Sequence, residues 1–200
     1  MTTTTTMPVR PADPADVATI ADVLSAAFFD DPVFRWMFPD PTRRARALPP
    51  SFALFARAYQ PLGASHVSPA GGAALWAPPG VEAFPDEEEL AADIGAIAGP
   101  DAGRVFIVLE LLGERHPADP AHYLNLLGVR PDRQGHGIGS SLLRAATRRC
   151  DEAGEPAYLE ATSERNRALY ERHGFVVVGE IALPDGPSLW PMWREAATGR

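Results

Sequence analysis

Residues 123–150 read YLNLLGVRPDRQGHGIGSSLLRAATRRC, and the order of elements in this stretch is the strongest indication of the fold. Its apolar start predicts a β-strand that ends at Val129, followed by a glycine-rich turn and a helix that begins close to Ile138. The helix carries an apolar stripe at helical spacing, formed by Ile138, Leu142, Leu143, Ala146 and Cys150. This order places the first N–H groups of the helix beside the turn, where they can bind an anion.

The turn has two features typical of a phosphate site. Gly135, Gly137 and Gly139 lack a Cβ, so their backbone can approach a ligand closely. Five arginines and one acid lie between Val129 and Cys150, a local charge of +4 in a chain of net charge −8. A tight turn before a solvated helix face gives a similar pattern. The order of elements and the local charge together favour a phosphate-bearing ligand.

Two common phosphate-binding motifs fit poorly. The chain has no GK[ST] sequence, which excludes a P-loop. Ser140 stands where a dinucleotide-binding fingerprint needs its third glycine. Glu160 does lie about 20 residues further on, as the ribose-binding acid does. However, too few strand–helix units follow to build a dinucleotide sheet, so an NAD(P)-binding enzyme is a distant alternative.

Composition narrows the function classes. All 18 basic residues are arginine, which excludes lysine Schiff-base chemistry. The net charge of −8 argues against a nucleic-acid or anionic-membrane partner. The single cysteine, Cys150, allows no intrachain disulfide and no cysteine zinc site, and it indicates a reducing, cytoplasmic setting. No His or acidic cluster has metal-ligand spacing, so no metal is predicted.

The chain of 200 residues is long enough for one full core. We predict a disordered N-terminal tail over residues 1–7 and a single domain over residues 8–197. The N-terminus has no apolar region typical of a secretory signal. The longest apolar run, residues 105–112, contains Glu110 and is much too short to span a bilayer.

The remaining pattern is mixed α/β. Helices are expected from Asp13 to about Phe29, over about 42–59 with a disturbance at Pro49 and Pro50, from 85–89 onward, and through 105–112. Asp30, Asp31 and Pro32 are expected to end the first of these helices. A short first strand is expected to end at Val9 and Arg10. Further strands are expected over 65–68, 73–77, 123–129, 157–161, 175–181 and 189–193.

These residues resemble a known superfamily. QGHGIG, residues 134–139, matches the (Q/R)-x-x-G-x-(G/A) signature of the GNAT acetyl-CoA-dependent N-acetyltransferases, and residues 158–162 and 166–175 resemble its second motif. The segments AAFFDDP, AALWAPPG, YLEATSERN and LPDGPSLWPM resemble the puromycin N-acetyltransferase branch. The resemblance implies a GNAT fold, with a mixed central sheet, a splayed parallel strand pair and flanking helices, and acetyl-CoA as cofactor.

The resemblance also implies the cofactor site. Pantetheine would lie along the strand backbone at Leu127, Gly128 and Val129, with Gly128 allowing the bulge that splays the strand. The N–H of Val129 would stabilise the oxyanion. The pyrophosphate would lie on Arg133, Gln134, Gly135, His136, Gly137, Ile138, Gly139 and Ser140, with Arg130, Arg144 and Arg148 as outer contacts.

Family precedent makes Asn166 a cofactor contact and Tyr170 the acid that protonates the departing thiolate. Tyr170 is otherwise a core aromatic beside Leu169 and Phe175. Glu160 ends its strand and would orient the acceptor amine or accept its proton. Pairing of Glu160 with an arginine such as Arg165 is an equal alternative.

The acceptor implied is a primary amine of a small molecule, similar to an antibiotic or an aminonucleoside. Residues 1–100 hold 6 arginines and 12 acids, which suits a cationic amine. Candidate pocket residues are Asp30, Asp31, Phe34, Trp36 and Trp76, together with Glu160. A non-catalytic acyl-CoA sensor is the alternative from another class. We expect a monomer or homodimer.

Overall fold

The computed structural model describes residues 8–197, so the tail predicted for residues 1–7 lies outside the described residues. The strands are β1 (Arg10–Pro11), β2 (His66–Ser68), β3 (Gly72–Ala77), β4 (His122–Val129), β5 (Ala157–Ala161), β6 (Val176–Val177), β7 (Ile181–Ala182) and β8 (Ser188–Arg194). The α-helices are α1 (Val17–Phe28), α2 (Pro32–Met37), α3 (Pro41–Tyr59), α4 (Glu87–Ala98), α5 (Ala102–Arg115), α6 (Ile138–Ala153) and α7 (Glu164–Glu171).

The strands form one mixed sheet in the order β1-β2-β3-β4-β5-β8-β6, with β7 paired to β8. β4 and β5 are parallel and the other pairs are antiparallel. Two apolar cores cover the sheet. One core contains residues of α1 to α5, and the other contains residues of α6 and α7. The predicted mixed α/β fold with flanking helices and a splayed parallel pair is confirmed.

The splay begins three residues into the parallel pair. β4 pairs with β5 over residues 122–124 and 157–159, and the remainder of β4 pairs with β3 alone. The register of β4 on β3 shifts at the same place, because Leu126 lies opposite Leu75 while Leu124 lies opposite Trp76. Asn125 is therefore the extra residue of a β-bulge. The prediction that Gly128 forms this bulge is wrong.

Gly128 instead allows α1 to approach β4. A Cβ at this position would lie 2.8 Å from the Leu24 Cδ2 atom and 2.8 Å from the Ala27 Cβ atom. The helix therefore packs directly on the strand backbone, beside the point where β4 and β5 separate.

Gly128→Ala is expected to lower the free energy of unfolding by about 1–3 kcal/mol, because the added methyl overpacks the contact with α1. Gly95→Ala is the matched control, since a Cβ there meets nothing within 4 Å and Gly95 lies inside α4. Chemical denaturation should show the loss for Gly128→Ala and a gain of roughly 0.5–1 kcal/mol for the control. Equal stability of the two variants would contradict the close-packing role.

The prolines of α3 do not break the helix, which runs unbroken through Pro49 and Pro50. The carbonyls that lose their donors belong to Ala45 and Arg46, four residues earlier, and both residues are exposed. Water can therefore hydrate those carbonyls, and the expected disturbance is absent.

Two other element predictions are corrected. Asp31 and Pro32 do not only end α1; they start α2, because the Asp31 side chain accepts from the backbone N–H of Val33 and Pro32 occupies the first helical position. The strand predicted over 175–181 is two short strands, β6 and β7, which pair with different parts of β8.

Within the described residues, no helix is long and apolar enough to cross a membrane. Over the same residues, 8–197, no group of three or more His, Cys, Asp or Glu side chains is placed to hold a metal ion. Cys150 packs in the second core, where burial raises the pKa of its thiol to about 11.

Candidate functional site

Two clefts meet where β4 and β5 separate. The first is lined by the turn before α6 and by the end of β4, and the second lies among α2 to α5 below the sheet. They share Phe28, Leu127 and Asn166. We call them the turn-side cleft and the apolar cavity.

The backbone of Val129 faces the gap between the separated strands. Arg130 N–H donates to the carbonyl of Gly71, the residue before β3, at 2.9 Å. Val129, the preceding residue of β4, therefore directs its N–H and C=O away from β3. The side chain of Gln134 confirms this direction, since its Nε2 donates to the Val129 carbonyl at 3.1 Å. The Val129 N–H therefore lies on the side of the turn-side cleft, which Val129 lines.

The turn presents backbone donors to the same cleft. Gly135 and Gly137 have φ values of 81° and 80°, the left-handed region that glycine adopts readily. Gly137 is the N-cap of α6, and no side chain caps its first N–H groups. Gly139 has a packing role, because a Cβ there would lie 3.4 Å from the Leu169 Cδ2 atom on α7. The N–H groups of the first helical turn are thus available to an anion.

The positive charge of this cleft differs in part from the prediction. Of the arginines named from the sequence, Arg133 lines the cleft, whereas Arg130, Arg144 and Arg148 do not. His136 also lies outside the lining, with its Nδ1 3.3 Å from the Arg133 carbonyl oxygen. Two arginines from α7 and its C-terminal end, which were not predicted as cofactor contacts, line the cleft instead: Arg165 and Arg172.

Nine further residues predicted for the cofactor line the turn-side cleft, whereas Tyr170, predicted to contact the cofactor as well, lines the apolar cavity. Leu127, Gly128, Gln134, Gly135, Gly137, Ile138, Gly139, Ser140 and Asn166 all line the turn-side cleft. A phosphate-bearing ligand would meet backbone N–H groups and three guanidinium groups there, so the cleft suits a nucleotide cofactor with an extended arm along β4.

The apolar cavity has aromatic walls and little charge. Phe28, Phe34 and Phe52 pack together with ring centroids 4.9–5.5 Å apart. No Arg, His or Asp is among the described residues that line the cavity, and Glu160 is the one carboxylate.

Glu160 stands at the end of β5 with its carboxyl shielded from solvent. Tyr123 donates its hydroxyl to Oε2 at 2.9 Å. Burial raises the pKa of the Glu160 carboxyl to about 7, although the nearby hydroxyls of Tyr123 and Tyr158 act in the opposite direction. Among the described residues Glu160 forms no ion pair with Arg165, which points into the other cleft.

Tyr170 lies at the junction and also packs as an aromatic residue. It lines the apolar cavity, is 6% exposed, and meets Phe175 edge-on with ring centroids 6.1 Å apart. Burial and then the nearby Asp31 raise the pKa of its phenol, so the phenol remains protonated at neutral pH. Its helix, α7, is capped by the Ser163 side chain, which accepts from the Asn166 backbone N–H.

Asp31 ties α2 to α7 by side-chain hydrogen bonds. Thr162 donates its hydroxyl to Asp31 Oδ2, and Asn166 donates its Nδ2 to the Thr162 hydroxyl at 3.3 Å. Burial raises the pKa of the Asp31 carboxyl. Asp31 and the exposed Asp30 line the turn-side cleft and not the apolar cavity, so their predicted place in the acceptor pocket is corrected.

Both tryptophans predicted for the acceptor pocket lie elsewhere. Trp76 is 1% exposed and packs in the core of α6, on the opposite face of the sheet. Trp36 lines neither cleft; its Nε1 donates to the Pro184 carbonyl, and the Arg104 guanidinium lies over its ring. Phe34 is the aromatic candidate that does line the apolar cavity.

A sheet opened at one parallel pair, with a turn of free backbone N–H groups on one side and a buried carboxyl in an apolar cavity on the other, is typical of an acyl-CoA-dependent transferase. Comparisons with known proteins agree. The family model described as "Acetyltransferase (GNAT) domain" matches residues 94–177. A protein of Schizosaccharomyces pombe named an uncharacterised N-acetyltransferase is 38% identical over 74 residues. That match covers 37% of this chain and 29% of the yeast protein's length.

Solved structures extend the likeness to the whole fold. A crystal structure from Corynebacterium glutamicum, described as histone acetyltransferase HPA2 and related acetyltransferase, is 33% identical with a TM-score of 0.72. The match covers 96% of this chain and 97% of that one. Arylalkylamine N-acetyltransferase 2 from Aedes aegypti shares the fold at 15% identity, with a TM-score of 0.64 over 95% of this chain and 99% of its own. The chain belongs to the GNAT acetyltransferases, enzymes that use acetyl-CoA.

Proposed function

We propose that this protein transfers the acetyl group of acetyl-CoA to a primary amine of a small molecule by direct attack. One observation carries the proposal: the two clefts meet at the separated strands, with Val129 lining the turn-side cleft and Glu160 and Tyr170 lining the apolar cavity. Acetyl-CoA supplies the activated acetyl thioester. The turn before α6 would hold its phosphates, and Asn166 and the β4 backbone would hold its pantetheine.

Each of the three groups has a chemical role that its environment suits. Glu160, with a pKa of about 7, is ionised in a large fraction of molecules at neutral pH and accepts a proton from the acceptor amine. The Val129 N–H donates to the oxygen on which negative charge develops. Tyr170 holds its proton at neutral pH and donates it in a hydrogen bond to the departing sulfur, which stabilises the negative charge as it develops there. A free thiol, with a pKa near 8.5, is a stronger acid than a phenol, so this hydrogen bond rather than complete proton transfer is the main contribution of Tyr170.

The acceptor is proposed to be antibiotic-like or aminonucleoside-like, in keeping with the resemblance to the puromycin N-acetyltransferase branch. The aromatic wall of the apolar cavity, including Phe28, Phe34 and Phe52, supports an acceptor with an apolar body next to its amine. The acidic balance of residues 1–100 supports a cationic acceptor.

The test is thiol release from acetyl-CoA across a panel of amines, with the acetylated product identified by mass spectrometry. We expect CoA release that depends on the amine and matches the product in amount. Binding of CoA by calorimetry with no turnover of any amine would instead favour a non-catalytic acyl-CoA sensor. Binding of NAD(P) without binding of CoA would contradict both.

A further inference from the structure

Two buried oxygen atoms beside the apolar cavity have no hydrogen-bond donor. They are Asn125 Oδ1 and Glu160 Oε1, and both residues line the cavity. A buried acceptor without a donor costs free energy, so a native protein leaves one where a ligand or water supplies the missing donor.

The two atoms belong to one hydrogen-bonded cluster. Asn125 Nδ2 donates to the Tyr123 hydroxyl at 3.2 Å, and that hydroxyl donates its hydrogen to Glu160 Oε2 at 2.9 Å. The hydroxyl hydrogen is thereby used, and the Asn125 amide is fixed with its Nδ2 toward Tyr123. Tyr158 lies beside the carboxyl but directs its hydroxyl to the Arg115 carbonyl. Asn125 Oδ1 and Glu160 Oε1 therefore both remain acceptors that need a hydrogen-bond donor.

The β-bulge aims Asn125 at this cluster. Tyr123 and Leu126 pack against the first core, and Leu124 and Leu127 against the second, so one extra residue interrupts the alternation of the strand. That residue is Asn125. A regular strand would place residues 123 and 126 on opposite faces. The bulge thus opens the sheet and positions an amide acceptor beside the carboxyl that ends β5.

The rest of the cavity excludes an anion. No arginine or histidine lies among its described lining residues, and its walls are aromatic and aliphatic. A carboxylate on the acceptor next to the amine would be buried without a cation, close to Glu160. An apolar group in its place would pack against Phe28, Phe34 and Phe52.

We infer that Asn125, together with Glu160, binds the ammonium group of the acceptor, and that the cavity selects monocationic arylalkylamines without a carboxylate. An ammonium group offers three N–H donors, enough for both free oxygens. This inference rests on the proposed function, because it assigns the acceptor class of the same reaction. Asn125 acts here as a substrate-binding residue, which the sequence did not indicate.

The first test uses substrate pairs on the native protein: phenethylamine against phenylalanine, and tryptamine against tryptophan. We expect kcat/KM to be at least about tenfold higher for the amine in each pair, as one uncompensated buried charge costs at least that factor. Equal values within the pairs, or amino acids as better substrates, would overturn the inference and leave acetyl transfer intact. No turnover of any amine would instead refute the proposed function itself.

The second test compares two variants of Asn125. Asn125→Leu removes the acceptor oxygen, and we expect the KM of the better arylalkylamine to rise about tenfold with kcat and the KM of acetyl-CoA nearly unchanged. Asn125→Gln keeps a neutral amide oxygen in the cavity, and its KM is expected to stay closer to the native one than that of Asn125→Leu. An equal loss in both variants would contradict ammonium binding by Asn125. If Asn125→Leu does not fold, Asn125→Ala, which also removes the oxygen, takes its place with the same expected rise in KM.

Discussion

Tyr170→Phe is expected to lower kcat by more than about tenfold while the dissociation constant of acetyl-CoA changes little. The variant removes only the hydroxyl, so the edge-on contact of the ring with Phe175 is kept. Without a proton donor, the sulfur must leave as the free thiolate. Because the phenol is buried beside Asp31 and stays protonated, the native protein supplies this proton across the neutral range. Steady-state rates and calorimetric binding of acetyl-CoA measure the two quantities.

The control is Thr147→Val, which removes a buried hydroxyl that donates to the Leu143 carbonyl within α6 and lines neither cleft. Its kcat should remain near the native value. An unchanged kcat for Tyr170→Phe, in a variant whose chemical step is shown to be rate-limiting, would leave Tyr170 with a packing role alone.

Glu160→Gln is expected to lower kcat/KM by a factor of about 10²–10⁴, the range that a general base supplies. The substitution keeps the shape of the side chain and an oxygen that can accept from Tyr123, but it removes the group that accepts the proton. Glu155→Gln is the matched control, because Glu155 precedes the same strand and pairs with His122, outside both clefts.

The pH dependence of kcat/KM tests the same role of Glu160 as the base. A carboxyl with a pKa of about 7 is protonated below that pH and cannot accept a proton there. The kcat/KM of the native protein should therefore fall as the pH drops below about 7 and level off above it, until the acceptor's own ionisation intervenes. Glu160→Gln should lack this limb. A limb near pH 7 that persists in the variant would assign the base to another group.

Much of the site could be predicted from one stretch of sequence. The strand, turn and helix of residues 123–150 are local features, and the helix begins at Ile138 as the glycines and the apolar stripe predict. The start of α7 is equally local, because the Ser163 side chain accepts from the backbone N–H of Asn166, three residues further on. Local backbone chemistry determines both, so neighbouring residues are sufficient evidence.

The acceptor side could not be predicted in the same way. Trp76 and Phe34 are both aromatic residues of the first half, and which face of the sheet each one meets depends on strand register and helix packing. Arg165 and Arg172 line the turn-side cleft because α7 packs beside the start of α6. Both arginines are far from the turn in the sequence, so the local sequence around the turn does not reveal them. The charge count was limited to residues 129–150, and it therefore favoured Arg130, Arg144 and Arg148 as cofactor contacts.

The position of the β-bulge in β4 could not be predicted from the sequence either. Gly128 suggested an irregularity because glycine weakens a strand, but the register places the bulge at Asn125 and gives Gly128 the contact with α1. An asparagine inside an apolar strand was the available signal. Its orphaned oxygen becomes visible only when the neighbours of that oxygen are known.

A crystal structure with acetyl-CoA tests the central claim most directly, namely that the reaction takes place where the two clefts meet. We expect the phosphates on the turn before α6, the thioester carbonyl within hydrogen-bond reach of the Val129 N–H, and the sulfur close to the Tyr170 hydroxyl. The acetyl group should point into the apolar cavity toward Glu160. A thioester that lies away from the junction, with Tyr170 and Glu160 both out of reach, would contradict the account.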